Sequence, residues 1–140
     1  MKKTSLLWTA LFLIAGTILA ACSGNPSASL TGSWKLISYG SPANPAPAAP
    51  DIDTSIEFAS DGTLTGNVGC NGFGGDYTVE GNNIVFGQII STLMFCEGPV
   101  GEQEAATLAV FTESAPFVVD GDTLTITSAD GSSVVVLVRK

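Results

Sequence analysis

Hydrophobic and polar residues alternate over most of this chain in short runs, and the runs are separated by turn-forming residues. Trp34 and Leu36 flank Lys35 in Gly32-Ser33-Trp34-Lys35-Leu36-Ile37, so they face one side of a first strand. Ser55-Ile56-Glu57-Phe58 repeats the pattern with Ile56 and Phe58 inward. The Asp61-Gly62 pair is a hairpin signal, and Thr63 to Val68 returns with Leu64 and Val68 inward and threonines outward. Tyr77-Thr78-Val79 and Ile84-Val85-Phe86 flank the turn residues Glu80 to Asn83 and predict a second hairpin. Phe117 to Val119, Leu124-Thr125-Ile126 and Val134 to Val138 are further strands, set around Asp120-Gly121-Asp122 and Asp130-Gly131.

Two stretches break the period of two. Gly40 to Pro50 holds four prolines, which excludes a central strand and predicts an extended, solvated loop. Glu102 to Phe111 carries Ala105, Leu108 and Phe111 at helical spacing, with the acidic Glu102 and Glu104 at the start. This predicts a helix whose apolar face covers a sheet or barrel, whose carboxylates are solvated at its N-terminus, and whose stop is Pro116. The expected fold class is mainly β: a small antiparallel β-barrel or strongly curled sheet of about eight strands, with one helix.

The stretch that organises the chain is Gly69-Cys70-Asn71-Gly72-Phe73-Gly74-Gly75, read as a turn crowded enough to exclude side chains. Cys70 within it and Cys96 downstream are expected to form a disulfide, which requires an oxidising compartment.

The N-terminus supplies that compartment. Met1-Lys2-Lys3 is a basic start, Leu6 to Leu19 is an apolar run of signal-peptide length, and Leu19-Ala20-Ala21-Cys22 ends it. Small residues followed directly by cysteine resemble the bacterial lipobox. That resemblance implies diacylglyceryl transfer to the Cys22 thiol, cleavage before Cys22 and an acylated amine. Two or three acyl chains anchor a protein stably where one does not. The expected organisation is a lipoprotein signal peptide over 1–21, a flexible tether over 22–29 and one domain over 30–140. The neutral Ser23 after Cys22 suits export to an outer membrane, where there is one.

Charge narrows the partners. The full chain of 140 residues carries −8. Without Lys2 and Lys3, three basic residues face thirteen acidic ones, a net of −10. Such a chain repels nucleic acid and anionic lipid headgroups alike, so the acyl anchor on Cys22 is what would hold it at a membrane. The absence of histidine excludes a Ser-His-Asp triad and a histidine-paired cysteine nucleophile. Cys70 and Cys96 alone do not make a zinc site, and they lack the Cys-x-x-Cys spacing of a redox pair. Asp120, Asp122 and Asp130 lack calcium-loop spacing and are read as turn residues. Phe73, Tyr77 and Phe95 are read as core or loop packing in preference to a ligand cleft. No cofactor, metal or catalytic residue is expected.

Several landmarks stand in one order: Gly32-Ser33-Trp34-Lys35-Leu36, Gly66-Asn67-Val68-Gly69-Cys70-Asn71, Gly75-Asp76-Tyr77, Ser91-Thr92-Leu93-Met94-Phe95-Cys96, Glu104 with Leu108, and Gly121-Asp122-Thr123-Leu124. Together they resemble the META domain, the family of HslJ-like bacterial lipoproteins, over Leu30 to Arg139. Phe95 departs from the alanine often found before the second cysteine, and the proline-rich insertion is long. The resemblance implies a small antiparallel β structure with one helix, no established catalytic residue, a link to envelope stress and a fold similar to that of pilot lipoproteins that bind lipid or a partner's tail. The expected function is therefore that of a non-enzymatic, lipid-anchored envelope protein that binds a protein partner or assists stress response or assembly. The alternative is a small-barrel carrier of an apolar or lipid ligand.

Overall fold

The alternating segments become the staves of a closed barrel in the computed structural model, which describes residues 29–140. The expected signal peptide, Cys22 and the expected tether up to residue 28 lie outside the described residues. The strands are β1 (Gly32–Gly40), β2 (Ala46–Pro47), β3 (Ser55–Phe58), β4 (Thr63–Asn67), β5 (Gly72–Glu80), β6 (Asn83–Phe86) and β7 (Ile90–Ser91). The helix α1 (Gly98–Val110) and strands β8 (Ser114–Asp120), β9 (Thr123–Thr127) and β10 (Val134–Arg139) follow. Eight strands close the barrel in the order β1-β3-β4-β5-β6-β8-β9-β10, and β10 pairs antiparallel with β1. The two short strands lie off this ring: β2 pairs with β1, and β7 pairs with β5.

An eight-stranded barrel has an interior just wide enough for side chains to fill it. Here Trp34, Leu36, Ile56, Phe58, Leu64, Ile84, Leu124, Ile126 and Leu137 are buried, each two residues from its inward neighbour on the same strand or opposite it on the next. Phe111 seals the interior, stacked on Phe86 with ring centroids 5.1 Å apart and tilted against Phe73 at 5.8 Å. Phe73 and Tyr77 are core residues, as expected, whereas Phe95 is exposed.

Three expectations are corrected. Only residues 68–71 turn; Gly72 to Gly75 are already strand β5, where Gly75 passes under the carbonyl of Gln88. Pro116 does not stop the helix, which ends at Val110, but lies within β8. There β8 leaves β6 for β9, and the ladder with β9 begins only at Phe117, so the missing N–H of Pro116 costs no bond. The buried residues of α1 are Gln103, Glu104, Thr107 and Val110, while Ala105 is exposed and Leu108 half-buried. Glu104 is therefore not a solvated helix-start carboxylate, although Glu102 is exposed.

The barrel has two unlike ends. The first holds the entry into β1, the tight turns at Asp61-Gly62, Gly81-Asn82 and Gly121-Asp122, and the C-terminus. Arg139 clamps the entering chain there. Its guanidinium lies 4.2 Å from the Trp34 ring centroid and donates to the carbonyls of Thr31 at 3.1 Å and Ser29 at 2.8 Å. The Trp34 indole donates to the Leu30 carbonyl at 2.8 Å. The second end holds the proline-rich loop, the 68–71 turn, the 87–97 segment and α1. The proline-rich loop is mostly exposed, as expected, and is pinned where Ala48 N–H donates to Ile37 O at 2.8 Å.

Candidate functional site

Residues 68–71, 92–96 and the first turns of α1 meet at the second end, around one polar side chain. Asn71 is buried and uses its side chain in full. Its Oδ1 accepts from Thr92 Oγ1 and Met94 N, both at 2.8 Å. Its Nδ2 donates to Met94 O at 3.1 Å and to Glu104 Oε1 at 2.6 Å. Its backbone N–H donates to Glu104 Oε2 at 2.7 Å. Both carboxylate oxygens of Glu104 thus accept from one residue, and bonds to an ionised acceptor are the stronger kind. Gln103 completes the frame, donating to Val68 O at 2.6 Å and accepting from Ala49 N at 2.7 Å.

Glycines make these approaches possible. A Cβ on Gly69 would meet Glu104 Oε2 at 2.6 Å, and one on Gly101 would clash with the Cys96 carbonyl oxygen. The expected disulfide is present: Cys70 and Cys96 are bonded with Cα atoms 5.7 Å apart, next to Asn71 in the chain. The 92–96 loop is therefore fixed by a covalent bond at its end and by Asn71 at its middle.

What this frame holds out is apolar. Leu93 is 94% exposed, Phe95 86%, Ile90 67% and Met94 61%. Between the loop and α1 lies an open depression of about 380 Å³, lined among others by Met94, Phe95, Glu104, Ala105 and Leu108. Fixing three adjacent large apolar side chains in water opposes the hydrophobic effect, and exposed patches of this kind mark interaction sites.

Among the described residues, no group of three or more histidine, cysteine, aspartate or glutamate side chains converges on a point that could hold a metal. Glu104 accepts from Asn71 through both carboxylate oxygens, while Glu102 is exposed. Asp61 and Asp130 serve turns, as expected. Asp61 accepts from Thr63 N at 2.9 Å, which lowers its pKa. The Ser128 hydroxyl and the Ser132 N–H and hydroxyl hold the Asp130 carboxyl down at about 2. The roles of Asn71 and Gln103 were not legible from periodicity. No pattern local to either stretch marks them, because their partners lie more than thirty residues away.

No curated protein matches this chain. Solved structures are similar in fold. One is the NMR structure of a protein from Burkholderia xenovorans, with TM-score 0.66 and 19% identity, covering 100% of this chain and 97% of that one. A second NMR structure gives TM-score 0.62 and 18% identity, covering 82% and 95%. The crystal structure of a duf4847 family protein from Bacteroides vulgatus gives TM-score 0.56 and 15% identity, covering 79% and 93%. The META domain family model matches residues 28–140, which include every residue of the frame described above. The chain belongs to the META domain family.

Proposed function

We propose that this protein is a non-enzymatic envelope lipoprotein, anchored through acyl chains on Cys22, that docks a protein partner on the loop Leu93-Met94-Phe95. The observation that carries the proposal is the loop itself: three large apolar side chains in water, fixed by Asn71, Glu104 and the Cys70–Cys96 bond. A fixed loop loses little entropy on binding, which is what a docking surface needs. Residence on the oxidising side of a membrane agrees with the disulfide. The filled barrel interior favours surface docking over carriage of an apolar ligand inside. Contribution to envelope stress response or assembly would follow from the partner.

The entry of the chain at the first end and the loop at the second supports an orientation in which the anchor holds the barrel by one end and the loop points away from that membrane. A photoreactive phenylalanine analogue at position 95, expressed in cells, tests the reading. A discrete protein adduct is expected at position 95, absent at position 120 and lost when Leu93 and Met94 become serine. Adducts with lipid alone, or equal adducts at both positions, would overturn it.

A further inference from the structure

The charge around the loop and the strand edge that leads into it say what kind of partner segment it takes. We infer that the occupant is a short extended segment that carries both basic and large apolar side chains; this rests on the docking role of the loop.

The charge argument comes from where the few cations lie. The three basic residues described are Lys35, Arg139 and Lys140, on β1 or at the end of β10. Arg139 is committed to Trp34 and the entering chain, and Lys140 pairs with Asp53 at 3.2 Å. The loop end carries no cation of its own among the described residues. Glu97 directly follows the disulfide and is exposed, and Glu102 is exposed on the first turns of α1. An apolar patch rimmed by one sign of charge selects a segment of the opposite sign and repels others.

Charge argues against a second copy. Ile90, Leu93, Met94 and Phe95 together expose roughly 500 Å² of apolar surface, taking about 150–200 Å² for each large side chain fully exposed. That is close to the apolar share of a standard interface of about 800 Å² per partner, so area alone does not choose the occupant and charge does. Two copies of residues 29–140, each with three basic and thirteen acidic residues, repel one another. Strand geometry favours an extended segment: β7, which leads into the loop, pairs with β5 on one edge and, among the described residues, with no strand on the other. A free strand edge accepts a chain by main-chain hydrogen bonds, and alternate side chains then reach neighbouring surface. Apolar residues of the segment would sit on Leu93, Phe95 and the depression beside Leu108, with the basic ones toward Glu97 and Glu102.

The test uses the exported, purified protein in phosphatidylcholine nanodiscs and three labelled octapeptides, read by fluorescence anisotropy against empty nanodiscs. One peptide alternates Lys with Leu and Phe, one replaces Lys by Glu, and one replaces the apolar residues by Ser. Only the first is expected to bind. Its affinity should fall at least tenfold in Leu93→Ser/Phe95→Ser and several-fold in Glu97→Lys/Glu102→Lys, and it should weaken as salt rises. Hydrogen exchange should slow over 90–97 on binding. The inference is overturned if the Glu peptide binds as well as the Lys peptide, or if the Lys peptide binds equally to both variants. It is also overturned if sedimentation shows a dimer that the loop variant loses, or if the loop instead inserts into phosphatidylglycerol-containing vesicles. If no peptide binds while the position-95 adduct forms in cells, the segment assignment fails and the docking role stands. If the adduct is absent, the docking role fails first.

Discussion

Replacing Asn71 by aspartate is a nearly isosteric change whose cost should depend on pH, because it sets a second carboxylate against Glu104. The Asn71 Nδ2 that would become oxygen lies 2.6 Å from Glu104 Oε1. Two charges about 3 Å apart at an effective dielectric of about 20 repel by roughly 5–6 kcal/mol. Taking up one proton at pH 7, for a carboxyl of ordinary pKa near 4, costs about 4 kcal/mol at about 1.4 kcal/mol per pH unit. Proton uptake is the cheaper route, so it caps the electrostatic loss at about 4 kcal/mol and restores one donor between the two groups. Losing the bond from Nδ2 to Met94 O adds about 1 kcal/mol at any pH. In the variant the native state binds one proton more than the unfolded chain between about pH 4 and 7. Its stability therefore falls as pH rises through that window and recovers on acidification. Urea unfolding followed by Trp34 fluorescence at pH 4 and pH 7 measures this. The expected loss relative to the parent is about 4–5 kcal/mol at pH 7 and about 1 kcal/mol at pH 4. Asn71→Ala should lose about 3 kcal/mol at both. A loss in Asn71→Asp that is the same at both pH values, or below about 1 kcal/mol at pH 7, would refute the Asn71–Glu104 frame.

Other outcomes follow from the same structure. Cys70→Ala with Cys96→Ala opens a loop of sequence separation 26. The chain-entropy model gives about 3.5 kcal/mol for that loop, so the variant should fold but melt roughly 10–20 °C lower; an unchanged melting temperature would contradict this. Thiol titration of the denatured, unreduced mature protein should find no free thiol, since Cys70 and Cys96 are bridged and Cys22 is expected as a thioether. Cys22→Ser should abolish incorporation of a labelled fatty acid and leave the precursor uncleaved, and normal labelling would remove the anchor from the account. The Asp130 carboxyl should titrate by NMR at about 2, because the Ser128 and Ser132 bonds favour its charged form. Its contribution to stability is then present above about pH 4 and lost as pH falls through about 2; a midpoint near 4 would contradict those bonds.

The barrel was legible because its signal is local. Trp34 and Leu36, Ile56 and Phe58, and Leu64 and Val68 are inward in the structure as alternation requires, and all are buried. The turns at Asp61-Gly62, Gly121 and Gly131 were legible for the same reason, since each needs a glycine at positive φ. The site was only half legible. The Cys70–Cys96 pairing was readable from the sequence, but the face of α1 was not. Hydrophobic periodicity points to Ala105 and Leu108, whereas the buried residues include Gln103, Glu104 and Thr107. Burial of Gln103 and Glu104 is decided by backbone groups far away in sequence: Val68 O, Asn71 N and Ala49 N. No window along the chain contains that information. Phe95 fails in the opposite direction. Its size suggests packing, but its backbone is held outward by Asn71 at Met94 and by the bridge at Cys96.

Amide ¹⁵N relaxation of residues 92–96 tests most directly whether the apolar loop is a built surface. The account predicts order parameters near 0.85 there, equal to those of the barrel strands, falling below about 0.6 in Asn71→Ala. Values below about 0.6 in the parent protein would mean that Leu93, Met94 and Phe95 are not held out for a partner, and would contradict the account at its centre.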